Sequence, residues 1–274
     1  MKFVLNASVN WVTTPDLLKL WGYTHHDDCT LCGLSGCTLH HILSNCKVAL
    51  RQRRYNWRHD SVLRRILTAV EKHCLSISEK KRPSVDQKIV FVKEGEKVSK
   101  SRYKRQARNL LDSALDWQIA ADFDHKQFPF PASICCTPER PDLVIWSPLR
   151  RIVILAELTC PAEEGIQNAT NRKQRRYTDL LLLIRQNNWT AHLFTIEVGA
   201  RGFVAKSTLK FLRSLGLSYQ RTAKICRELS EIAARCSFGI YNARSCKDWD
   251  SKRTLLEVSR SDELTAKSGI KKSA

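Results

Sequence analysis

The chain has 274 residues, and its 46 lysine and arginine residues against 27 acidic residues give it a formal net charge of +19. A basic surplus of this size favours polyanionic partners and disfavours self-association. A membrane role is not expected, because the longest uncharged apolar runs, such as residues 180–184, fall far short of the roughly 20 residues that a spanning helix needs.

The cysteines and the N-terminal residues indicate the compartment. Residues 1–6 contain too short an apolar stretch for a signal peptide. Apart from one cluster, the 11 cysteines follow no regular framework, as expected of reduced thiols. The sequence therefore predicts a nuclear or cytoplasmic protein that binds DNA, with RNA as a further candidate.

Residues 1–28 form a short leading segment that ends at a zinc-knuckle motif. Cys29, Cys32, His41 and Cys46 follow the spacing C-x2-C-x8-H-x4-C, which can close a tetrahedron around Zn²⁺. So small a unit should lack a hydrophobic core, and metal binding would then supply its folding free energy. Nearby side chains could replace His41 or compete with it, namely Cys37, His40, His25 and His26.

A basic helix follows the knuckle and completes a predicted domain over residues 29–75. Apolar residues recur at helical spacing between residues 62 and 70. At its start, Arg58 and His59 are interleaved with aromatic residues, which favours contact with nucleic-acid phosphates. The alternative is that Asp60 or Ser61 caps the helix and that Arg58 and His59 are ordinary surface charge.

A lysine-rich linker over residues 76–101 separates this unit from a second predicted domain, residues 102–245. We expect a helix over residues 102–121 and a strand over residues 133–137. The apolar runs 143–146 and 152–156 predict a hairpin. A long helix over residues 162–187, a strand over residues 192–198 and two more helices should follow. This order predicts an α/β fold with a mixed sheet flanked by helices, and residues 246–274 form a polar tail.

Two carboxylates lie at the base of the predicted hairpin. Asp142 opens one arm and Glu157 ends the other, so both can meet at one edge of the sheet and bind a hard cation such as Mg²⁺ or Mn²⁺. The pattern resembles the PD-(D/E)xK nuclease core. That core has a lysine two residues after the second acid, where this chain has Thr159.

The next helix can supply the missing lysine. Lys173, Arg176 and Tyr177 share one helical face, so a lysine on this helix could reach the same catalytic space. The alternative is a solvated basic face, including Arg172 and Arg175, that binds DNA phosphates without catalysis.

The order of motifs extends this resemblance. The motifs are the knuckle, residues 55–60 (Tyr-Asn-Trp-Arg-His-Asp), the basic linker, residues 140–144 (Arg-Pro-Asp-Leu-Val), residues 156–161 (Ala-Glu-Leu-Thr-Cys-Pro), residues 173–177 and residues 196–203 (Ile-Glu-Val-Gly-Ala-Arg-Gly-Phe). Together they resemble the C-terminal region of a non-LTR retrotransposon polyprotein of the restriction-like-endonuclease class, over roughly residues 15–245.

This resemblance implies a function and a set of roles. Asp142 and Glu157 would be the catalytic metal ligands and Lys173 the displaced catalytic lysine, with Tyr177 and Glu197 near the site. The implied activity is target-site nicking of DNA. The family's reverse transcriptase is absent, since the only Asp-Asp pair, Asp27–Asp28, follows two histidines and does not match a polymerase palm. We therefore expect a fragment, or a truncated or decayed copy. The competing hypothesis is a catalytically inactive, zinc-dependent nucleic-acid-binding module.

Overall fold

The computed structural model describes residues 2–81, 109–123, 128–252 and 254 of the chain. Its α-helices are Lys2–Ser8 (α1), Pro15–Leu20 (α2), Lys47–Arg51 (α3), Arg54–Lys81 (α4), Ile166–Arg176 (α5), Thr178–Gln186 (α6), Lys206–Leu215 (α7) and Tyr219–Asn242 (α8). Its strands are Gln118–Ala121 (β1), Leu143–Ser147 (β2), Ile152–Thr159 (β3) and Thr190–Glu197 (β4).

The four strands form one mixed sheet in the order β1-β2-β3-β4. Strands β1, β2 and β3 are antiparallel neighbours, whereas β4 runs parallel to β3. A parallel pair needs a crossover connection, and helices α5 and α6 supply it. The predicted α/β class, the hairpin and the mixed sheet with flanking helices are confirmed.

Apolar residues cover both faces of the sheet, as expected where helices pack on each side. On one face Ile145 and Ile154 belong to a core that also includes residues of α4, α7 and α8. On the other face Val144 and Leu155 pack with residues of α6. The alternation along β2 and β3 therefore produces two cores. Strand β2 is buried throughout, and β3 is buried except at its two half-buried end residues.

The knuckle packs against the α/β body. Its residues Leu39 and Leu43 share a hydrophobic cluster with Ala200 and Ile240, the latter on α8. Helix α4 leaves this region and contributes Val62 and other residues to the core beneath the sheet. The expectation that the knuckle has no hydrophobic core is wrong, because the core is completed by residues from the second predicted domain.

Several predicted elements differ from the structure. Within residues 109–121 the expected helix is replaced by a single 3₁₀ turn, Leu110–Ser113, and by strand β1, which pairs with the exposed edge of β2. Residues 133–137 form no strand, because the Pro131 carbonyl accepts the N–H groups of Ile134 and Cys135 and closes a turn.

Other boundaries shift because tertiary contacts override the local pattern. The helix expected over residues 162–187 is interrupted at Tyr177, whose side chain points into the protein interior. Helix α4 continues to Lys81, and the remainder of the predicted linker, residues 82–101, lies outside the described residues. The start of the predicted tail is docked, since the ring of Trp249 contacts that of Trp57.

Within the described ranges, none of the helices combines the length and the apolarity required to cross a lipid bilayer.

Candidate functional site

Four side chains of the knuckle converge on one point. The ligand atoms of Cys29, Cys32, His41 and Cys46 all lie within 4.8 Å of one another. The Sγ atoms of Cys29 and Cys46 are 3.9 Å apart, and Cys32 Sγ lies 3.3 Å from His41 Nε2. Cys37, although buried, is not a member of this cluster.

These distances fit a tetrahedral zinc site. Zn–S bonds of about 2.3 Å and Zn–N bonds of about 2.0 Å place neighbouring ligand atoms about 3.5–3.8 Å apart. The pKa shifts of the ligands differ. Burial raises the pKa of Cys32 to about 11, whereas His41 and Cys29 are shifted toward the form that binds metal. Burial lowers the pKa of His41, with the charge of His40 acting in the same direction, and the neutral ring is the form that binds metal. Burial opposes the Cys29 thiolate, but the amides of Cys32 and Leu31 outweigh it and lower the pKa of Cys29.

A second cluster forms around the two carboxylates at the base of the hairpin. Leu143 on β2 pairs with Ala156 on β3, so one antiparallel step further sets Asp142 opposite Glu157. The Asp142 amide donates to Glu157 Oε2 at 3.1 Å, and the Leu158 amide donates to Asp142 Oδ2 at 2.7 Å. Each carboxylate thus accepts a hydrogen bond from a backbone amide at or next to the other acidic residue. Both carboxylates lie at one edge of the sheet, as the sequence predicts.

Helix α5 brings a lysine to this pair. The Lys173 ammonium forms an ion pair with Glu157 Oε1. One turn later, at the junction with α6, the Tyr177 hydroxyl lies 2.9 Å from Glu157 Oε2. The spacing of four residues places both side chains on the helical face that covers β3. The structure therefore brings together Asp142, Glu157, Lys173 and Tyr177.

The electrostatics of Glu157 favour a nearby cation. Its side chain is only 2% exposed. Burial, together with the charge of Asp142, raises the pKa of Glu157, while Lys173 acts in the opposite direction. A carboxylate whose ionised form is destabilised in this way is suited to a site where a cation neutralises its negative charge.

Glu197 lies at the edge of this arrangement and has a different set of contacts. It is buried at the end of β4, and its carboxylate accepts hydrogen bonds from the hydroxyls of Thr170 on α5 and Ser207 on α7. Thr170 lies one turn before Lys173. Glu197 therefore anchors the helix that carries the lysine, and its direct partners are hydroxyl groups.

The predicted phosphate contact of Arg58 is wrong. The residue is 1% exposed, and its guanidinium donates to the carbonyls of Leu43 and Cys160 at 3.0 and 2.9 Å and to Ser237 Oγ at 3.0 Å. A guanidinium enclosed in this way cannot reach a phosphate. The capping alternative is also wrong for this segment, because α4 begins at Arg54, ahead of Asp60.

The remaining basic residues lie at the surface of α5. Arg172 and Arg175 are exposed, and Arg176 pairs with Glu139 at 2.9 Å. Their role in nucleic-acid binding stays a prediction. They lie on the same helix as Lys173, so a DNA strand that contacts them would run beside the carboxylates of Asp142 and Glu157.

His59 adopts a position that sequence reasoning missed. Its Nε2 lies 3.3 Å from Asp142 Oδ2 and its Nδ1 lies 3.0 Å from Asp60 Oδ1. Burial opposes the charged ring, but the hydrogen bonds to Asp142 and Asp60 outweigh it and raise the pKa of His59 to about 10. The ring is therefore a cation that contacts the carboxylate cluster, and whether it also contacts a nucleic acid stays a prediction.

An open cleft of about 540 Å³ adjoins the cluster. Asp142, His59 and Asp60 line it together with Asp122 and Arg140. Burial raises the pKa of Asp122; Arg140 opposes the shift, and the charge of Asp142 adds to it. Asp122 and Asp60 belong to separate segments of the chain. Asp122 reaches the cleft because β1, which precedes it, pairs with β2, and Asp60 reaches it because α4 passes beside the cleft. The sequence carried no periodic signal for either.

No protein-family model matches the chain, and a search of curated proteins finds no match.

Proposed function

We propose that this protein is a metal-dependent DNA endonuclease that nicks one strand. The observation that carries the proposal is the convergence on Glu157 of a lysine ammonium, a tyrosine hydroxyl and the amide of a second acidic residue, at one edge of a mixed sheet. A buried carboxylate with these partners calls for a functional reason, because burying it is costly. A site for phosphodiester hydrolysis supplies that reason.

The architecture supports a restriction-like assignment of the PD-(D/E)xK type. Asp142 lies immediately before one central strand and Glu157 lies near the end of the next, and the following helix covers that end. The lysine comes from α5 rather than from the position of Thr159. Its place in the sequence therefore differs from that of the motif lysine, but the carboxylate that it contacts, Glu157, is the second acid of the motif.

Each group has a defined task in the proposed reaction. Mg²⁺ or Mn²⁺, held by Asp142 and Glu157, would stabilise the charge that develops on the scissile phosphate. Lys173 orients the attacking water and stabilises negative charge, and Tyr177 fixes the Glu157 carboxylate. Water adds to phosphorus as the bond to the 3′ oxygen breaks, which leaves a 5′ phosphate and a 3′ hydroxyl.

The zinc cluster and the surface charge complete the proposal. Zinc at Cys29, Cys32, His41 and Cys46 would be structural, and the exposed arginines of α5 would contact DNA phosphates without reading sequence. The motif order supports an origin in a non-LTR retrotransposon, with nuclear DNA as the substrate, RNA as a further ligand and a reverse transcriptase as a partner.

One observation favours a second candidate, a zinc-dependent nucleic-acid-binding module without catalysis. Both oxygens of Glu157 already accept hydrogen bonds, one from Lys173 and the other from Tyr177 and the Asp142 amide. A cation must therefore share or displace these donors. If it cannot, the cluster is a neutral structural network.

A nicking assay on supercoiled plasmid separates the two candidates. The wild-type chain should convert plasmid to the open-circular form when Mg²⁺ or Mn²⁺ is added. Asp142→Asn and Glu157→Gln should abolish conversion, whereas Glu231→Gln, on the exposed face of α8, should not change it. DNA binding without metal-dependent nicking would establish the binding module instead.

A further inference from the structure

Helix α4 connects the zinc cluster to the carboxylate cluster, and three of its side chains make the connection. The first is Tyr55. Its hydroxyl accepts the amide of Cys46 at 3.0 Å and lies 3.0 Å from the Ile42 carbonyl and 3.3 Å from the His41 carbonyl. One hydroxyl thus contacts the backbone at two zinc-ligand positions, His41 and Cys46.

The second connection is Arg58, one helical turn after Tyr55. A single nitrogen, Nη2, donates both to the Leu43 carbonyl in the knuckle and to the Cys160 carbonyl just beyond β3. The other terminal nitrogen, Nη1, donates to Ser237 on α8. This buried guanidinium therefore joins the segment between the zinc ligands to the strand that carries Glu157.

The third connection is His59, the next residue along the helix. Both ring nitrogens lie within hydrogen-bond distance of a carboxylate oxygen, one of Asp142 and one of Asp60. The same Asp142 oxygen accepts the Leu158 amide of β3. His59 and Leu158 together fix the rotamer of Asp142 from two directions.

We infer that His59 is a positioning residue for Asp142, and that the zinc knuckle sets its position through Tyr55 and Arg58. Zinc bound to His41 and Cys46 would hold the carbonyls that Tyr55 and Arg58 contact, and these contacts fix the start of α4. The fixed start of α4 then places His59 within hydrogen-bond distance of Asp142. The inference rests on the proposed function only for its catalytic consequence, since the contacts exist whether or not the cluster cleaves DNA.

The test uses the full chain and two readouts that do not require cleavage. One is hydrogen exchange at the Leu158 amide, which reports whether Asp142 accepts its hydrogen bond. The other is the dissociation constant for Mn²⁺. A hydrogen bond to a charged group is strong enough that its loss should change each quantity about tenfold.

His59→Ala should accelerate Leu158 exchange about tenfold. His59→Gln should restore most of the protection, because its side-chain amide can replace the Nε2 donor. It should also bind Mn²⁺ about tenfold more tightly than His59→Ala, because both variants lack the charge of the ring and differ only in this donor. Lys72→Ala, on the exposed face of the same helix, should change neither. Unchanged Leu158 exchange in His59→Ala would overturn the positioning role.

Tyr55→Phe tests the link to the knuckle while all four ligands remain. The variant should still contain one equivalent of zinc, yet its Leu158 amide should exchange several-fold faster, as expected for one lost hydrogen bond. In His59→Ala the same change should add little, because the link is already broken. Wild-type Leu158 exchange in Tyr55→Phe, or full additivity in the double variant, would overturn the coupling. If the wild-type chain neither binds Mn²⁺ nor nicks DNA, the proposed function fails while Leu158 exchange still tests this inference.

Discussion

Removing Lys173 tests the catalytic assignment most sharply, because the lysine can be separated from metal binding. Its ammonium contacts Glu157 and its side chain is 18% exposed, so Lys173→Met keeps the packing of the alkyl chain and removes only the charge. We expect the nicking rate to fall by about two to four orders of magnitude, the usual contribution of a positioned proton-handling or electrostatic group. That loss corresponds to roughly 3–5 kcal/mol of transition-state stabilisation.

Single-turnover nicking and Mn²⁺ titration together form the assay. Lys173→Met should bind Mn²⁺ at least as well as the wild type, because the ion no longer competes with an ammonium for Glu157. Asp142→Ala and Glu157→Ala should instead lose Mn²⁺ affinity, since each removes a ligand. Full nicking activity in Lys173→Met would refute the assignment and leave the α5 helix with a phosphate-binding role.

A compensating change provides the matching control. Thr159 lies two residues after Glu157 on the same face of β3, and its buried hydroxyl has no hydrogen-bond partner within the described residues. Thr159→Lys places an ammonium at the usual motif position and should partly restore the activity of Lys173→Ala. The absence of any rescue, in a variant that is folded and binds Mn²⁺, would mean that this strand end cannot present a lysine to Glu157.

The purified chain should contain one equivalent of zinc, and elemental analysis that finds less than about half an equivalent in folded protein would contradict the ligand assignment. DNA affinity should fall steeply with salt, and Arg172→Ala and Arg175→Ala should each reduce the log-log slope by about 0.9; an unchanged slope would mean that neither arginine contacts a phosphate. In a denaturant titration, Arg58→Ala should lower the free energy of unfolding by more than about 3 kcal/mol, because it removes three hydrogen bonds made by a buried cation. As a control, Arg172→Ala should change the free energy of unfolding by less than about 0.5 kcal/mol. A loss within 0.5 kcal/mol for Arg58→Ala would contradict its structural role.

The hairpin and the residues at its base could be predicted from the sequence because their signals are local. Two apolar runs joined by a short turn define antiparallel neighbours, and their register then sets Asp142 opposite Glu157. The spacing of four residues between Lys173 and Tyr177 likewise fixes a shared helical face. The Cys/His cluster is equally local, since its four members span 18 residues of sequence.

Contacts between distant segments escaped prediction. His59 and Asp142 are separated by 83 positions, and no periodicity in the sequence relates them. Arg58 lies in a basic, aromatic stretch whose composition indicates a solvent-exposed, phosphate-binding surface, yet carbonyls from two other segments enclose it. Strand β1 has four residues and forms because β2 offers an edge, so its local sequence alone could not establish it.

Strand nicking by the purified full chain tests the central claim most directly. With supercoiled plasmid and Mg²⁺, the wild-type protein should produce open-circular DNA, and DNA ligase should reseal the nicks, because they carry a 5′ phosphate and a 3′ hydroxyl. Glu157→Gln, prepared in parallel and shown to be folded, should produce none. Nicking that persists in Glu157→Gln, or a wild-type chain that binds DNA and Mg²⁺ without nicking, would contradict the account.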